Sequence, residues 1–366
     1  MKLYIAGGKY EHGRNCFYLD DGENAFLLDC GIMADDKENP YPHLTDDEIS
    51  RLKVVFFSHS HADHTGAAAW LLTKGFTGYF AAMEETFEAL KDTNVRISEN
   101  LILLNDWEKC GFDKRFNLKI KYGKSGHCIG SVYLILNFTK LNKIYLYTGD
   151  YVEHTKLYKC SKIRNLYADV AIIDCAYGNC EINYKKNCRK IIKKVRKTLT
   201  ENKNIVFPLP KNGRALELLV LLDKKLKNNE KKIFADDFFF KKFNSGDSLF
   251  YKSSKWFKKD LKKYCKNVKV YSPENDEKGQ IIFVCDPQLK NEQSLKTAQE
   301  IINDGGRIIF TGTVESDTPA SKLLESGFAE KIIYPVHQNK NDVKKLCKKN
   351  HFSEVITFHY AEKKKD

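Results

Sequence analysis

The chain has 366 residues, enough for a large core and about two domains. Hydrophobic residues make up 42% and charged residues 30%, a balance that is ordinary for a globular protein. No apolar run approaches the roughly 20 residues that span a bilayer, and the N-terminal stretch reaches its glycines too early for a secretory signal. The sequence therefore predicts a protein without membrane segments.

The eleven cysteines are scattered singly along the chain, and no CxxC pair occurs. Several of them, such as Cys30, Cys175 and Cys285, lie inside apolar runs, where a cysteine acts as a small hydrophobic residue. This usage indicates reduced thiols and a cytoplasmic protein.

The net charge of +13 is unevenly distributed. Residues 181–335 hold 32 Lys and Arg against 20 Asp and Glu, whereas the rest of the chain holds 29 against 28. Compositional drift towards lysine is one explanation. The other is that this central block faces a polyanion, because basic surfaces attract one electrostatically.

The first 180 residues alternate between apolar runs and turns, a pattern that predicts strands with a few helices. Strands are predicted at 3–6, 16–19, 25–30, 54–58, 118–122, 132–138 and 144–148, and helices at 67–72 and 84–91. Two strand-rich halves with helices outside them indicate a sandwich of sheets that is flanked by helices.

From about residue 179 helices and strands alternate, which predicts a small parallel α/β unit. The predicted helices are 184–200, which is very basic, 214–226 and 294–303, and the predicted strands are 204–207, 280–285 and 307–311. The aromatic, lysine-rich stretch 238–275 has no clear assignment, and neither an internal repeat nor a low-complexity tract occurs apart from the tail 362–366.

The segment 54–66 carries the strongest chemical signal. A hydrophobic strand runs directly into His59, His61, Asp63 and His64. Imidazole nitrogens and carboxylate oxygens are the usual zinc donors, and four of them at a strand end can converge on one cavity. Further donors follow in similar positions: His127 in a glycine-flanked turn, Asp150 after a strand, and Asp29 as a partner that would orient a ligand imidazole.

The ordered motifs HSHADHTG, GHCIGS and TGD resemble those of the metallo-β-lactamase fold. The resemblance implies an α/β fold, a four-layer αββα sandwich with two zinc ions between the sheets. It implies that one zinc is bound by His59, His61 and His127 and the other by Asp63 and His64, with Asp150 bridging both. Such a pair of ions makes hydroxide available near neutral pH.

The second half of the chain resembles the β-CASP branch of that superfamily. Asp174 followed by Tyr-Gly resembles motif A, Gly213-Arg214 resembles the helix start that opens the inserted domain, and 311–318 resembles a glycine-containing loop near its end. The implied organisation is a metallo-β-lactamase domain over 1–178 and 336–366, interrupted by a parallel α/β β-CASP domain over 179–335.

Two late histidines fit the remaining motifs. The resemblance implies that His359 (motif C) completes the second zinc site, and that His337 (motif B), held by Asp174, protonates the leaving oxygen. Catalysis is thus assigned to Asp63, Asp150, Asp174 and His337. The sequence departs from the family pattern at three positions beside these two histidines: Val336 and Asn339 near His337, and Tyr360 after His359. Four other histidines, which we interpret as structural or surface residues, match no motif: His12, His43, His154 and His351.

A motif C histidine is typical of RNA-directed β-CASP members, and the opening residues 7–16 resemble ribonuclease J. The resemblance implies an RNA substrate. Ribonuclease J carries a further C-terminal domain that helps dimerisation, but this chain ends seven residues after His359, so a homodimer would need another surface. Ser316 and Thr318, at the start of a helix, and Arg214 are candidate contacts to RNA phosphates, with plain helix capping as the alternative.

Three other functions remain open from the sequence. A DNA-directed β-CASP nuclease shares the zinc chemistry, and a small-molecule hydrolase of the same core would need neither the basic insert nor His337. A non-catalytic RNA-binding relative would have lost ligands, whereas every expected ligand is present here. The sequence does not decide between exonuclease and endonuclease action.

Overall fold

A computed structural model describes residues 1–91, 97, 99–244, 255–274 and 277–360. The contacts divide the chain into unit 1, Met1–Glu181 with Val336–Asp366, and unit 2, Ile182–Pro335. The tail 362–366 and parts of the unassigned stretch 238–275 lie outside the described residues. None of the described helices has the length and apolar character to cross a membrane.

Unit 1 contains two mixed sheets. The six-stranded sheet has the order β1-β2-β3-β4-β5-β6, and the five-stranded sheet has the order β17-β10-β9-β8-β7. Their strands are β1 (Lys2–Gly7), β2 (Cys16–Asp20), β3 (Ala25–Leu28), β4 (Leu52–Phe56), β5 (Tyr79–Ala82), β6 (Leu101–Leu103), β7 (Leu118–Lys124), β8 (Val132–Phe138), β9 (Lys143–Tyr147), β10 (Tyr167–Asp174) and β17 (His351–Phe358).

Side-chain alternation along the strands creates the layers of unit 1. In β4, Val54 and Phe56 point to a core that also contains Leu134 and Ile172 of the other sheet. Because successive side chains point to opposite faces, Val55 faces a second core, which includes residues of the helix Ala68–Thr73. A third core covers the far face of the five-stranded sheet, where the helix Lys340–Cys347 packs. The result is the predicted four-layer αββα sandwich.

Unit 2 is built on a six-stranded parallel sheet of order β13-β12-β14-β11-β15-β16. The central strand β11 is buried along its whole length, as expected where helices cover both faces of a parallel sheet. The strands are β11 (Ile205–Leu209), β12 (Ile233–Ala235), β13 (Lys269–Val270), β14 (Ile281–Cys285), β15 (Arg307–Phe310) and β16 (Ala329–Lys331).

The described helices follow in chain order. They are α1 (Asp46–Arg51), α2 (Ala62–Thr65), α3 (Ala68–Thr73), α4 (Glu84–Lys91), α5 (Phe112–Arg115), α6 (Tyr184–Thr200), α7 (Arg214–Lys225), α8 (Asp237–Asn244), α9 (Lys255–Cys265), α10 (Glu292–Asn303), α11 (Pro319–Glu325) and α12 (Lys340–Cys347), with 3₁₀ turns at Leu104–Asp106 and Asn228–Glu230. The predicted helices 84–91 and 184–200 have the observed bounds, and α8 and α9 occupy the stretch that the sequence left unassigned.

Candidate metal centre

The first four predicted donors are positioned by the end of β4. The chain leaves the sheet after Phe56, passes through a bend that carries His59, and reaches His61, whose extended backbone leads into the short helix α2 with Asp63 and His64. The strand is fixed by its apolar side chains, so the donors that follow it are held at one end of the six-stranded sheet.

Three further donors come from parallel neighbours in the other sheet. The strands β9, β10 and β17 run parallel and adjacent, and their carboxyl ends lead to Asp150, Asp174 and His359 respectively. Because parallel strands end at the same edge of a sheet, these side chains come together although they are far apart in sequence. Gly149 enables the turn before Asp150, since it has φ 49° and a Cβ there would lie 2.6 Å from Ser58 Cβ.

Four donor atoms form a first cluster. His59 Nε2 and His127 Nε2 each lie 3.1 Å from His61 Nδ1. Asp150 Oδ2 lies 3.3 Å from His59 Nε2 and 3.2 Å from His127 Nε2. With zinc–nitrogen bonds of about 2.0–2.1 Å, the edges of a regular tetrahedron measure about 3.3 Å, so this spacing suits a tetrahedral metal site.

A second cluster adjoins the first through the same carboxylate. Asp150 Oδ1 lies 3.1 Å from His64 Nε2 and 3.1 Å from His359 Nδ1. Asp63 Oδ2 lies 3.0 Å from His359 Nε2 and 3.5 Å from His64 Nε2. The two oxygens of Asp150 therefore face different clusters, which is the arrangement of a bridging ligand.

Several of these donor atoms form no hydrogen bond, although a metal ion could use them as ligands. Asp150 Oδ1 and Oδ2 and His359 Nδ1 are buried, and none of them has a hydrogen-bond partner among the described residues. Buried polar atoms without partners are rare because each one costs free energy. Their concentration among residues of the usual metal-binding types indicates a divalent metal centre.

Asp29 organises one side of this centre. Its Oδ2 lies 2.6 Å from His64 Nδ1 and accepts a hydrogen bond of 2.7 Å from Ser58 Oγ, while Oδ1 accepts from Ser58 N at 2.7 Å. Tyr147 donates a third bond to Oδ2, at 2.5 Å. A carboxylate that holds the other ring nitrogen of a ligand histidine fixes its tautomer and orientation, which is the role predicted for Asp29.

His337 and Asp174 form a pair beside the two clusters. His337 Nδ1 lies 3.2 Å from Asp174 Oδ2, and the ring centroid of His337 is 4.7 Å from that of His127. Asp174 is held in place because Tyr151 N and Ala176 N donate to it at 3.1 and 3.0 Å. Donor atoms of His337, Asp174, Asp150 and His359 also lie within 4.8 Å of one another, so geometry alone allows His337 to be a metal ligand.

Burial and charge separate the histidines into two kinds. Burial lowers the pKa of His61 to about 3 and that of His127 well below its usual value. For His64 and His359 burial acts in the same direction, but Asp150 and its neighbouring carboxylates outweigh it and raise the pKa well above the usual value. His61 and His127 therefore offer neutral nitrogens, whereas the raised pKa values of His64 and His359 mean that metal binding has to displace protons from them.

The sequence missed two contributors to the site. Tyr147 is the last residue of β9 and directly precedes the TGD motif, and a tyrosine in a buried strand gives no signal beyond packing. His12, which we interpreted as structural or surface, donates from Nδ1 to the carbonyl oxygen of His359 at 3.2 Å. His359 has φ 71°, an unfavourable backbone for a residue with a side chain, and its N–H donates to Gly8 O at 2.7 Å. The N-terminal loop thus holds a predicted ligand in place.

The predicted RNA contacts lie in unit 2, and two of them, Thr318 and Arg214, have local structural roles. The hydroxyl of Thr318 caps α11, since it accepts from Ser321 N at 3.2 Å and donates to Glu315 O at 2.9 Å. Ser316 is exposed. The guanidinium of Arg214 packs on Gly312, where a Cβ would collide with it. The helix start and the glycine loop that the sequence singled out thus pack on each other, and RNA binding by the three residues stays a prediction.

The chain is similar to known proteins at the level of a family profile, a fold and several relatives. The family profile of the metallo-β-lactamase superfamily matches residues 10–135. A solved structure of a protein of unknown function from Enterococcus faecalis V583 superposes with a TM-score of 0.61 at 11% identity and covers 98% of this chain and 94% of that one. That likeness establishes the fold.

Three curated relatives extend the comparison. The probable RNase MJ4 of Methanocaldococcus jannaschii is 27% identical over 90% of this chain and 79% of its own length. The transcription termination factor FttA of Methanothermobacter thermautotrophicus and the cleavage and polyadenylation specificity factor 73 of Drosophila melanogaster are both 26% identical over 61% of the chain, which spans only 39% and 36% of their lengths. Residues 10–135 therefore belong to the metallo-β-lactamase superfamily, and the chain is similar over most of its length to the probable RNase MJ4.

Proposed function

We propose that the chain is a metal-dependent ribonuclease that hydrolyses phosphodiester bonds of RNA. The observation that carries this proposal is the pair of donor clusters joined by Asp150, with the His337–Asp174 pair beside them. A divalent metal centre next to an imidazole that a carboxylate orients contains the groups that phosphodiester hydrolysis requires.

Two zinc ions per chain suit the donors. The first cluster offers three imidazole nitrogens and one carboxylate oxygen, and the second offers two imidazoles and two carboxylate oxygens. Nitrogen and oxygen ligands at tetrahedral spacing are typical of zinc. When bound, the two ions would lower the pKa of a shared water and neutralise charge on the phosphate.

His337 serves as the general acid in this proposal. Its Nδ1 is directed to Asp174 at 3.2 Å, so Nε2 is the nitrogen from which a proton can pass to the leaving oxygen of the cleaved bond. Asp174 is buried and receives backbone hydrogen bonds, so it holds the ring rather than transferring a proton itself. Burial raises the pKa of Asp174, but the adjacent His337 outweighs this effect and lowers it, which keeps the carboxylate charged.

RNA is favoured over DNA by His359, because a motif C histidine is typical of RNA-directed members. The names of the relatives also favour RNA, since they include a probable RNase, an RNase J-like protein of Methanocaldococcus jannaschii and an endoribonuclease of Aspergillus fumigatus. A small-molecule hydrolase would leave the basic charge of residues 181–335 without a role. A non-catalytic binding protein is disfavoured because every predicted ligand is present and lies in the cluster.

The test is cleavage of one RNA sequence prepared with a 5′-triphosphate, a 5′-monophosphate or a 5′-hydroxyl end, alongside single-stranded DNA of the same sequence. We expect zinc-loaded protein to cleave RNA faster than DNA, and we expect a chelator to stop the reaction. Product lengths over time distinguish shortening from one end from internal cuts.

The matched control is His43→Ala, which removes an exposed histidine outside the clusters and should cleave at the wild-type rate. Cleavage of DNA but not RNA would replace this proposal with that of a DNA-directed nuclease. Metal-loaded protein that binds RNA and cleaves neither polymer would indicate the non-catalytic function.

A further inference from the structure

The helix α6 has two distinct faces. Cys188, Ile191, Ile192 and Val195 are buried, and at about 100° of rotation per residue these positions share one side of the helix. The exposed cations occupy a separate sector of about 140°. They are Lys185, Lys186, Arg189, Lys190, Lys193, Arg196 and Lys197, and we call this set the α6 basic face.

The α6 basic face is largely unneutralised. The helix has no acidic residue in its 17 positions. Arg196 lies 3.8 Å from Glu230 and Lys197 lies 4.0 Å from Glu201, but the other five cations form no ion pair with any described residue. Solvated lysines are common singly, whereas this many on one side of a helix repel one another.

Drift of the whole composition towards lysine does not explain this face. The helix α10 (Glu292–Asn303) belongs to the same unit, has a comparable length and presents two glutamates and one lysine. The bias is therefore concentrated in particular elements. A helix of 17 residues is about 25 Å long, so α6 presents its cations as a strip rather than as a point.

We propose that the α6 basic face binds the phosphate backbone of single-stranded RNA; this rests on the proposed function in that RNA is the substrate. Lys186, Lys190, Lys193 and Lys197 follow one another at intervals of three or four residues, which gives a row of cations along the helix. A row of ammonium groups with one carboxylate, Glu201, near its end and no exposed aromatic side chain within it suits a chain of phosphates and carries no base specificity.

Other anionic partners fit this face less well. Protein interfaces are depleted in lysine and enriched in aromatic residues, whereas this face holds five lysines, two arginines and no aromatic residue. Helices that lie on membranes insert an apolar side, and the apolar side of α6 is buried in unit 2.

The test replaces Lys186, Lys190 and Lys193 together by glutamine, which preserves helix propensity. Binding of a fluorescent single-stranded RNA to the full chain is measured by anisotropy across a salt series, in chelator so that the RNA stays intact. Loss of about three phosphate contacts should make the slope of log affinity against log salt shallower by about 2. The loss of affinity relative to the wild type should therefore be about 100-fold larger at 0.1 M salt than at 1 M salt.

Two variants serve as controls. Replacing the same lysines by arginine keeps the charge and should keep the affinity. Replacing the exposed lysines Lys53, Lys119 and Lys121 of unit 1 by glutamine removes the same net charge elsewhere and should leave the slope unchanged. Thermal unfolding of each variant checks that it folds, and a misfolded glutamine variant is replaced by single substitutions at the three positions.

Three results would overturn the inference. The slope for the glutamine variant could equal that of the wild type, or the slope for the unit 1 control could fall by the same amount. The glutamine variant could also lose binding to phosphatidylserine vesicles while it keeps its affinity for RNA. Hydrolysis of bis(p-nitrophenyl) phosphate by zinc-loaded protein is measured in parallel. If the small ester is cleaved by all variants and RNA affinity does not change, α6 is not the RNA surface and the proposed chemistry stands. If no variant cleaves it, the chemistry fails independently of the binding result.

Discussion

The metal centre of unit 1 and the basic surface of unit 2 use charged residues in opposite ways. At the centre, His59, His64 and Asp150 are at most 1% exposed, and each group depends on several neighbours. On the α6 basic face the cations are exposed, and most form no ion pair with a described residue. Buried charges are costly unless they are paired or bind a metal, whereas exposed ones contribute singly and are screened by salt.

The comparison teaches that substitutions in the two regions should have different signatures. Removal of one buried donor leaves the others uncompensated, so its effect should be large and insensitive to salt. Removal of one surface lysine should give a small, additive effect that disappears as the salt concentration rises.

The largest effect is expected for the two residues at the heart of the clusters. His61→Ala and Asp150→Ala should each reduce RNA cleavage to background, because Asp150 faces both clusters and His61 contacts both other imidazoles of the first. Metal analysis by mass spectrometry should find two zinc ions in wild-type protein and fewer in both variants. Fully active protein with at most one tightly bound ion would contradict the dinuclear proposal.

The next effect concerns the general acid. His337→Ala should reduce cleavage by about 10²–10⁴-fold while both metal ions and the RNA affinity are retained. Asp174→Asn should give a milder loss, since it weakens the orientation of the imidazole. Wild-type cleavage by His337→Ala would exclude the general acid, and loss of a metal ion would show instead that His337 is a ligand.

His359→Ala should weaken the second site and leave the first intact. Its two ring nitrogens lie 3.0 and 3.1 Å from Asp63 and Asp150, so the loss should appear as a lower affinity for one of the two ions. Excess zinc should then restore part of the cleavage rate. The control His351→Ala removes the exposed histidine at the start of β17, the strand that precedes His359, and should need no additional zinc. Failure of zinc to restore any activity to His359→Ala would contradict a pure ligand role.

A smaller effect is expected for Tyr147→Phe, which removes only the hydroxyl that donates to Asp29. Loss of such an outer partner typically costs about 10–100-fold in metal affinity or activity, and the low end applies here because Ser58 still holds Asp29. Competition with a chromogenic chelator measures the affinity. An unchanged affinity would mean that the hydroxyl has only a packing role.

The smallest effect is the proton release that accompanies metal binding. In the metal-free protein the pKa values of His64 and His359 are raised well above the usual value, whereas those of His61 and His127 are lowered. Filling the second site should therefore release about two protons from these ligands, and His359→Ala should release about one fewer. Calorimetry in buffers of different ionisation enthalpy counts them, and equal release by both proteins would contradict this assignment.

The sequence by itself determined most of what is local. Hydrophobic periodicity and donor spacing are patterns of residues that are close in sequence. They therefore sufficed to predict the HxHxDH segment after an apolar strand, the TGD turn and the helices 84–91 and 184–200. The family and the four-layer fold followed from these motifs, and the comparisons and the structure confirm both.

Only the tertiary structure decided how distant residues meet. Parallel pairing of β9, β10 and β17 brings Asp150, Asp174 and His359 to one edge, and no local pattern encodes that pairing. Tyr147 and His12 joined the site for the same reason: their partners, Asp29 and the His359 carbonyl, are 118 and 347 residues away in the chain. Hydrogen bonds act over about 3 Å, so which groups form them depends on the folded chain and not on sequence separation.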